Sequence, residues 1–71
     1  MSVQPPWLRF PEAGEMGPTW GGWRQGYGEH WLHETWLPFW KAMTPSQRAA
    51  YLTANPAPTT EWLHHIEQVW I

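Results

Sequence analysis

Eight tryptophans in a chain of 71 residues are the strongest constraint on how this protein can fold. A domain of this size buries only about 60% of the surface that its unfolded chain exposes, so its margin of stability is thin. Each buried aromatic ring removes roughly 150–250 Å² from water, so a few indoles can replace a larger aliphatic core. The sequence has no cysteine, which excludes disulfides, thiolate metal sites and a cysteine nucleophile. We therefore predict one small domain with an aromatic core in a cytoplasmic setting.

Proline and glycine divide the chain near Gly28. Residues 1–28 contain all six glycines and four of the eight prolines, whereas residues 29–71 alternate helical patterns with single prolines. This predicts an all-α fold, in which an irregular arm rich in proline, glycine and tryptophan (1–28) packs on a three-helix core (29–71). Within the arm, QPPWLRFPE is expected to be extended, because a residue before proline avoids the helical region. TWGGWR predicts a short Gly-Gly hairpin with Trp20 opposite Trp23.

The first core helix is predicted over about 29–43, with a kink at Pro38, whose ring crowds the preceding turn. Its apolar residues occupy one half of the helical wheel. They are Trp31, Leu32, Thr35, Trp36, Phe39, Trp40 and Met43.

The second and third helices have clear start signals. Thr44, Pro45 and Gln47 form the pattern of a capping box at the start of a helix over 45–54, which Asn55 caps at its end. Thr59 or Thr60 is the expected N-cap of a helix over 60–71. Its core-facing stripe is Trp62, Leu63, Ile66, Val69 and Trp70.

We make different predictions about burial for the tryptophans of the helices and for those of the arm. The helical rings at 31, 36, 40, 62 and 70 are predicted to be core. The arm has more aromatic area than it can bury by itself, and Trp, Tyr and Arg dominate interface hot spots. We therefore predict a partner-binding surface made of Trp7, Trp20, Trp23, Arg24 and Tyr27. This favours a small non-enzymatic module that binds another protein.

An alternative function is metal binding on the polar faces of the first and third helices. Imidazole and carboxylate groups three residues apart on a helix suit zinc or iron. The candidates are His30, His33, Glu61, His64 and His65. These faces lie opposite the apolar stripes, however, which favours solvated side chains, so we expect neither metal nor other cofactor.

Several function classes are disfavoured by composition. There is no Asp to orient a histidine, and Ser2 and Ser46 are the only serines, which argues against a hydrolase. The four basic residues are scattered in a chain of net charge −2, which argues against nucleic acid as a partner. No apolar run approaches the ~20 residues that span a bilayer, so we expect no membrane association.

The segment FWKAMTPSQ, residues 39–47, resembles part of some phage tail assembly chaperones over nine residues, one position out of register. The resemblance implies an assembly or structural protein that forms homo-oligomers. The chain's small size and lack of catalytic groups favour instead a phage-encoded or immunity-type inhibitor that occupies the surface of its partner.

Overall fold

The computed structural model describes residues 3–70, which are 75% helical, and places no strand among them. The helices are α1 (Pro6–Arg9), α2 (Pro11–Met16), α3 (26–42), α4 (Pro45–Ala54) and α5 (60–69), with a 3₁₀ helix at Gly21–Arg24. The predicted all-α class is therefore confirmed. Met1, Ser2 and Ile71, the last of them assigned above to the third helix, lie outside the described residues.

The arm is helical, so its description as irregular or extended was wrong. Pro6 and Pro11 each open a short helix as its first residue, a position where the missing N–H costs nothing. The residues before them, Pro5 and Phe10, are extended, as proline requires, but each acts as the N-cap of the helix that follows. Proline therefore starts helices in this arm.

The predicted Gly-Gly hairpin was also wrong. Gly21–Arg24 form a 3₁₀ helix, which turns the chain and brings the Trp20 and Trp23 rings together edge to face, with centroids 5.0 Å apart. The two rings do pair as expected. The turn that pairs them is helical, and it needs no flanking strands.

α3 contains a π-helical segment, Leu32–Trp36, between the α-helical segments Gly26–Trp31 and Leu37–Ala42. Pro38 has no N–H and its ring crowds the carbonyl four residues earlier. Leu37, the residue before it, already donates its N–H to the carbonyl five residues back, that of Leu32. A kink was predicted at Pro38, and the structure places a π segment just before this residue.

The π segment aligns tryptophans that a regular α-helix would separate. Trp31 and Trp36, five residues apart, stack with centroids 6.0 Å apart and planes 14° from parallel. Trp36 stacks in turn on Trp40 at 5.4 Å and 16°. Thr35, predicted to face the core, is exposed because the π turn changes the phase of the wheel.

α4 begins with the predicted capping box. The Gln47 backbone N–H donates to the Thr44 hydroxyl oxygen at 3.2 Å, and the Thr44 backbone N–H donates to the Gln47 side-chain oxygen at 2.8 Å. Asn55 ends the helix, donating from its backbone N–H and its side-chain amide to the Tyr51 carbonyl. No residue of α4 is fully buried, so local capping contributes much of what holds this helix.

We expect Thr44→Ala to lower the free energy of unfolding by about 1 kcal/mol, the typical loss of an N-cap side chain. Thr44→Ser keeps the hydroxyl and should stay close to the wild type. Urea denaturation followed by circular dichroism measures both. Equal midpoints for the two variants would show that the capping box is not formed in solution.

The core is almost wholly aromatic. Seven of the eight tryptophans are buried, and Trp36, Trp40 and Trp62 expose 1% or less of their surface. The prediction that the five helical tryptophans are core is confirmed. Leu63 and Val69 are 38% and 54% exposed, so two of the five residues of the apolar stripe predicted for α5 do not face the core.

Two buried indole N–H groups have hydrogen-bond acceptors and two do not. Trp23 donates to the Pro18 carbonyl and Trp40 to the Ile66 carbonyl, both at 3.1 Å. Trp36 and Trp62 have no acceptor for theirs among residues 3–70. A buried donor without a partner costs about 1–3 kcal/mol, so these two rings stabilise the fold through packing alone.

We expect Trp36→Phe to cost less stability than Trp40→Phe. Both variants lose part of a buried ring, but the first also removes an unpaired donor, whereas the second leaves the Ile66 carbonyl without its partner. Thermal melts of the two variants under identical conditions provide the comparison. A larger loss of stability in Trp36→Phe than in Trp40→Phe would contradict this prediction.

Candidate functional site

Residues 17–25 connect α2 to α3 and contain three of the five predicted partner-binding residues. The connection begins at Gly17, the C-cap of α2, whose φ of 96° lies in the region that only glycine adopts easily. Its carbonyl then accepts the Trp20 backbone N–H at 3.1 Å. This bond, together with the hydrogen bond from the Trp23 indole N–H to the Pro18 carbonyl, gives the connection a defined shape.

Trp7 and Trp23, predicted as partner-binding rings, are core residues. Trp7 is 7% exposed and meets Trp62 edge to face at 5.3 Å. Trp23 is 8% exposed and contacts Phe10, Trp20, Trp31 and Trp70. Since neither ring is accessible, we correct their assignment: both rings complete the core.

Trp20 lies between core and surface. It is partly buried, against Phe10 at 5.4 Å and Trp23 at 5.0 Å. Gly22 lies under its ring so closely that a Cβ at that position would overlap the indole. Gly22 is thus needed for close packing around Trp20.

Arg24 and Tyr27 are the predicted site residues that the structure leaves on the surface. Tyr27, in the first turn of α3, is 87% exposed, and Arg24, at the end of the 3₁₀ helix, is also exposed. Neither needs to move for another molecule to reach it. The accessible part of the predicted site is therefore Trp20, Arg24 and Tyr27, which we call the arm surface.

Sequence reasoning missed two other exposed apolar residues of the arm, Leu8 at 57% and Met16 at 72%. Each lies in a helix of six residues or fewer, too short for a periodic pattern to mark a buried face. It also missed two grooves that share Leu52. One, of about 290 Å³, lies along Trp40, Arg48 and Glu67; the other, of about 410 Å³, is lined mainly by Pro56–Thr60 and Leu63.

The candidate metal ligands do not form a site in the part of the chain that the structure describes. His30, His33, Glu61 and His64 are exposed and His65 is partly buried. No group of three or more His, Asp or Glu side chains within residues 3–70 is placed to hold a metal ion. The metal-binding alternative thus receives no support from geometry.

His65 instead packs against the core. Its imidazole meets the Trp70 ring edge to face, with centroids 4.8 Å apart. Burial lowers the pKa of His65 below its usual value of 6.5, the charge of His64 lowers it further, and Glu61 partly opposes the shift. The folded state therefore favours the neutral imidazole.

We expect this shift to make the protein less stable in mild acid. As pH falls through about 6.5, His65 takes up its proton in the unfolded chain before it does so in the folded one. The contribution of His65 to the free energy of unfolding is thus lost between the two pKa values and constant above pH 6.5. Urea melts across this range should show a shallower pH dependence for His65→Gln than for the wild type, and equal slopes would contradict the assignment.

No helix within residues 3–70 combines the length and the apolar character that crossing a bilayer requires. A scan against protein-family models finds no match to the chain, and searches of curated proteins and of solved structures likewise find none.

Proposed function

We propose that this protein is a small non-enzymatic module that binds another protein through the arm surface. The observation that carries the proposal is Tyr27, a large aromatic side chain that is 87% exposed although the neighbouring Gly28 is buried. Tyrosine and arginine bring rigid contact area and hydrogen-bonding groups to an interface at low entropic cost. Arg24 and the exposed part of Trp20 add a guanidinium group and a second aromatic ring to the arm surface.

The mode of action we favour is occlusion, in which the module covers a surface that its partner needs, as an inhibitor does. Trp20 supports this proposal because its inner edge is fixed against Phe10 and Trp23. A ring held in this way loses little conformational freedom on binding. A phage or immunity setting for such an inhibitor stays a prediction.

Site-specific photocrosslinking tests the proposal. A benzophenone amino acid replaces Tyr27 in one variant and Ala50 in the control; both positions are exposed, but Ala50 lies on α4, outside the arm surface. We expect protein adducts in the cells of origin from position 27 and not from position 50. Arg24→Ala combined with Trp20→Ala should then reduce affinity for the crosslinked protein, measured by calorimetry, while Gln25→Ala should not. Identical adducts from both positions would contradict the proposal.

A second copy of the chain is the alternative partner. The exposure of Leu63 and Val69 on α5 favours it, because both were expected to lie in a core. Sedimentation velocity over a wide concentration range distinguishes the alternatives. A protein that stays monomeric would exclude self-association as the main function.

A further inference from the structure

The aromatic rings of the core form a continuous series across the molecule. From Trp20 the centroid distance is 5.0 Å to Trp23, then 6.2 Å to Trp31, 6.0 Å to Trp36 and 5.8 Å to Tyr51. All these separations fall in the range of directly interacting ring pairs. The indole planes of Trp23, Trp31 and Trp36 are also nearly parallel, at 22° and 14°. We call this series the ring chain.

Both ends of the ring chain reach towards solvent, while its middle does not. Trp20 and Tyr51 are partly buried, whereas Trp36 is fully buried. Indole and phenol are the side chains of this protein that lose a single electron most readily. The ring chain therefore connects two partly exposed rings through buried indoles that can be oxidised.

Two interior rings, Trp23 and Trp36, have no described group that would trap a radical by taking its proton. Trp36 has no acceptor for its indole N–H in the described part of the chain, and the Trp23 N–H donates to a backbone carbonyl, which is too weak a base. An indole radical cation formed on these rings thus keeps its proton and can be reduced by the next ring. Tyr51 differs because its side chain is only partly buried; its hydroxyl donates to the Val3 carbonyl at 2.7 Å.

We propose that the ring chain is a one-electron relay from Tyr51 to Trp20. A one-electron oxidant at the surface takes an electron from Trp20, and each ring in turn is reduced by its inner neighbour. Tyr51 supplies the last electron and releases its hydroxyl proton to water, which leaves a neutral phenoxyl radical. In the net reaction the oxidant gains one electron, and Tyr51 loses one electron and one proton.

Trp36 is the ring through which all routes to Tyr51 pass within residues 3–70. A side route runs from Trp23 through Trp70, but it also returns to Trp36. Trp40 contacts Tyr51 as well, and its indole partner is again Trp36. Trp62 is a matched control, since it is equally buried and also lacks an acceptor, but its ring neighbours are Trp7 and Trp70.

The experiment uses the absence of native cysteine. Thr19→Cys, an exposed position next to Trp20, carries a ruthenium polypyridyl label that a laser flash and a sacrificial acceptor convert to ruthenium(III). Tyr27→Phe is included in every variant, so that Tyr51 is the only tyrosine. Transient absorption and electron paramagnetic resonance then distinguish the phenoxyl radical from indole radicals, and circular dichroism verifies that each variant is folded.

We expect a phenoxyl radical in the labelled parent, the same yield in Trp62→Phe, and its loss in Trp36→Phe and in Tyr51→Phe. Phenylalanine preserves most of the ring volume but is not oxidised under these conditions. A phenoxyl yield that is undiminished in folded Trp36→Phe would overturn the proposal, and so would a parent that forms no phenoxyl radical. Equal losses in Trp36→Phe and Trp62→Phe would also overturn it, because the order of the rings would then not matter.

Discussion

Trp36→Ala is expected to unfold the protein or leave it close to its unfolding midpoint at room temperature. The ring is fully buried and lies against five other aromatic rings, those of Trp31, Phe39, Trp40, Tyr51 and Trp70. Truncating a buried tryptophan to alanine typically costs about 3–5 kcal/mol. A domain of this length has a total stability of roughly 4–10 kcal/mol at about 0.05–0.15 kcal/mol per residue. One side chain therefore accounts for much of the stability of the fold.

Tyr27→Ala is the matched control for this prediction. It removes an aromatic ring from the same helix, α3, but one that is 87% exposed, so the free energy of unfolding should change by no more than about 0.5 kcal/mol. Urea titration followed by far-ultraviolet circular dichroism measures both variants. Similar midpoints for the two would mean that Trp36 is not the centre of the core.

The parts of the fold that sequence predicts well depend on neighbouring residues only. The capping box at Thr44 and Gln47 satisfies backbone groups within its own turn, so the residue types identify it without knowledge of the rest of the molecule. The helical periodicity likewise identifies Trp31, Trp36 and Trp40 as core, although it places Thr35 with them incorrectly.

The arm could not be predicted in the same way because its structure depends on contacts with distant residues. Pro6 and Pro11 are compatible both with an extended chain and with the first residue of a helix, and helices of four and six residues contain no period to separate these cases. The 3₁₀ helix at Gly21–Arg24 is fixed by ring packing against Phe10 and by the approach of α3. Neither contact is visible in the local sequence.

The exposure of the arm residues was predicted only in part, for a related reason. An excess of aromatic residues in the arm does not reveal which rings are covered by helices that follow later in the chain. Trp7 is covered by Trp62, and Trp23 by Trp31 and Trp70, while Tyr27 is left on the surface. In α5, the π segment His65–Val69 changes the helical phase, so a wheel drawn for a regular helix places Val69 incorrectly.

Gly28→Ala is expected to destabilise the protein even though it improves helix propensity. Alanine favours the helical conformation over glycine by about 1 kcal/mol. A Cβ on residue 28, however, would overlap the backbone carbonyl of Gly22 and lie 3.2 Å from the Trp20 ring. Since the carbonyl belongs to the backbone, relief requires moving the start of α3 away from the 3₁₀ helix. Overpacking of this kind costs about 1–3 kcal/mol, which outweighs the gain in propensity.

Gly21→Ala is the control that separates the effect of close packing from the general effect of replacing a glycine by alanine. A Cβ at Gly21 meets no atom within 4 Å, and its φ is not positive, so the substitution should be neutral or stabilise by up to about 1 kcal/mol. Calorimetric melting temperatures of the two alanine variants should therefore move in opposite directions, or at least differ clearly. If Gly28→Ala melted at or above the temperature of Gly21→Ala, α3 would not approach the 3₁₀ helix in solution. Trp20 would then lack the fixed backing on which the proposed arm surface depends, because Gly22 and Gly28 both lie close to that ring.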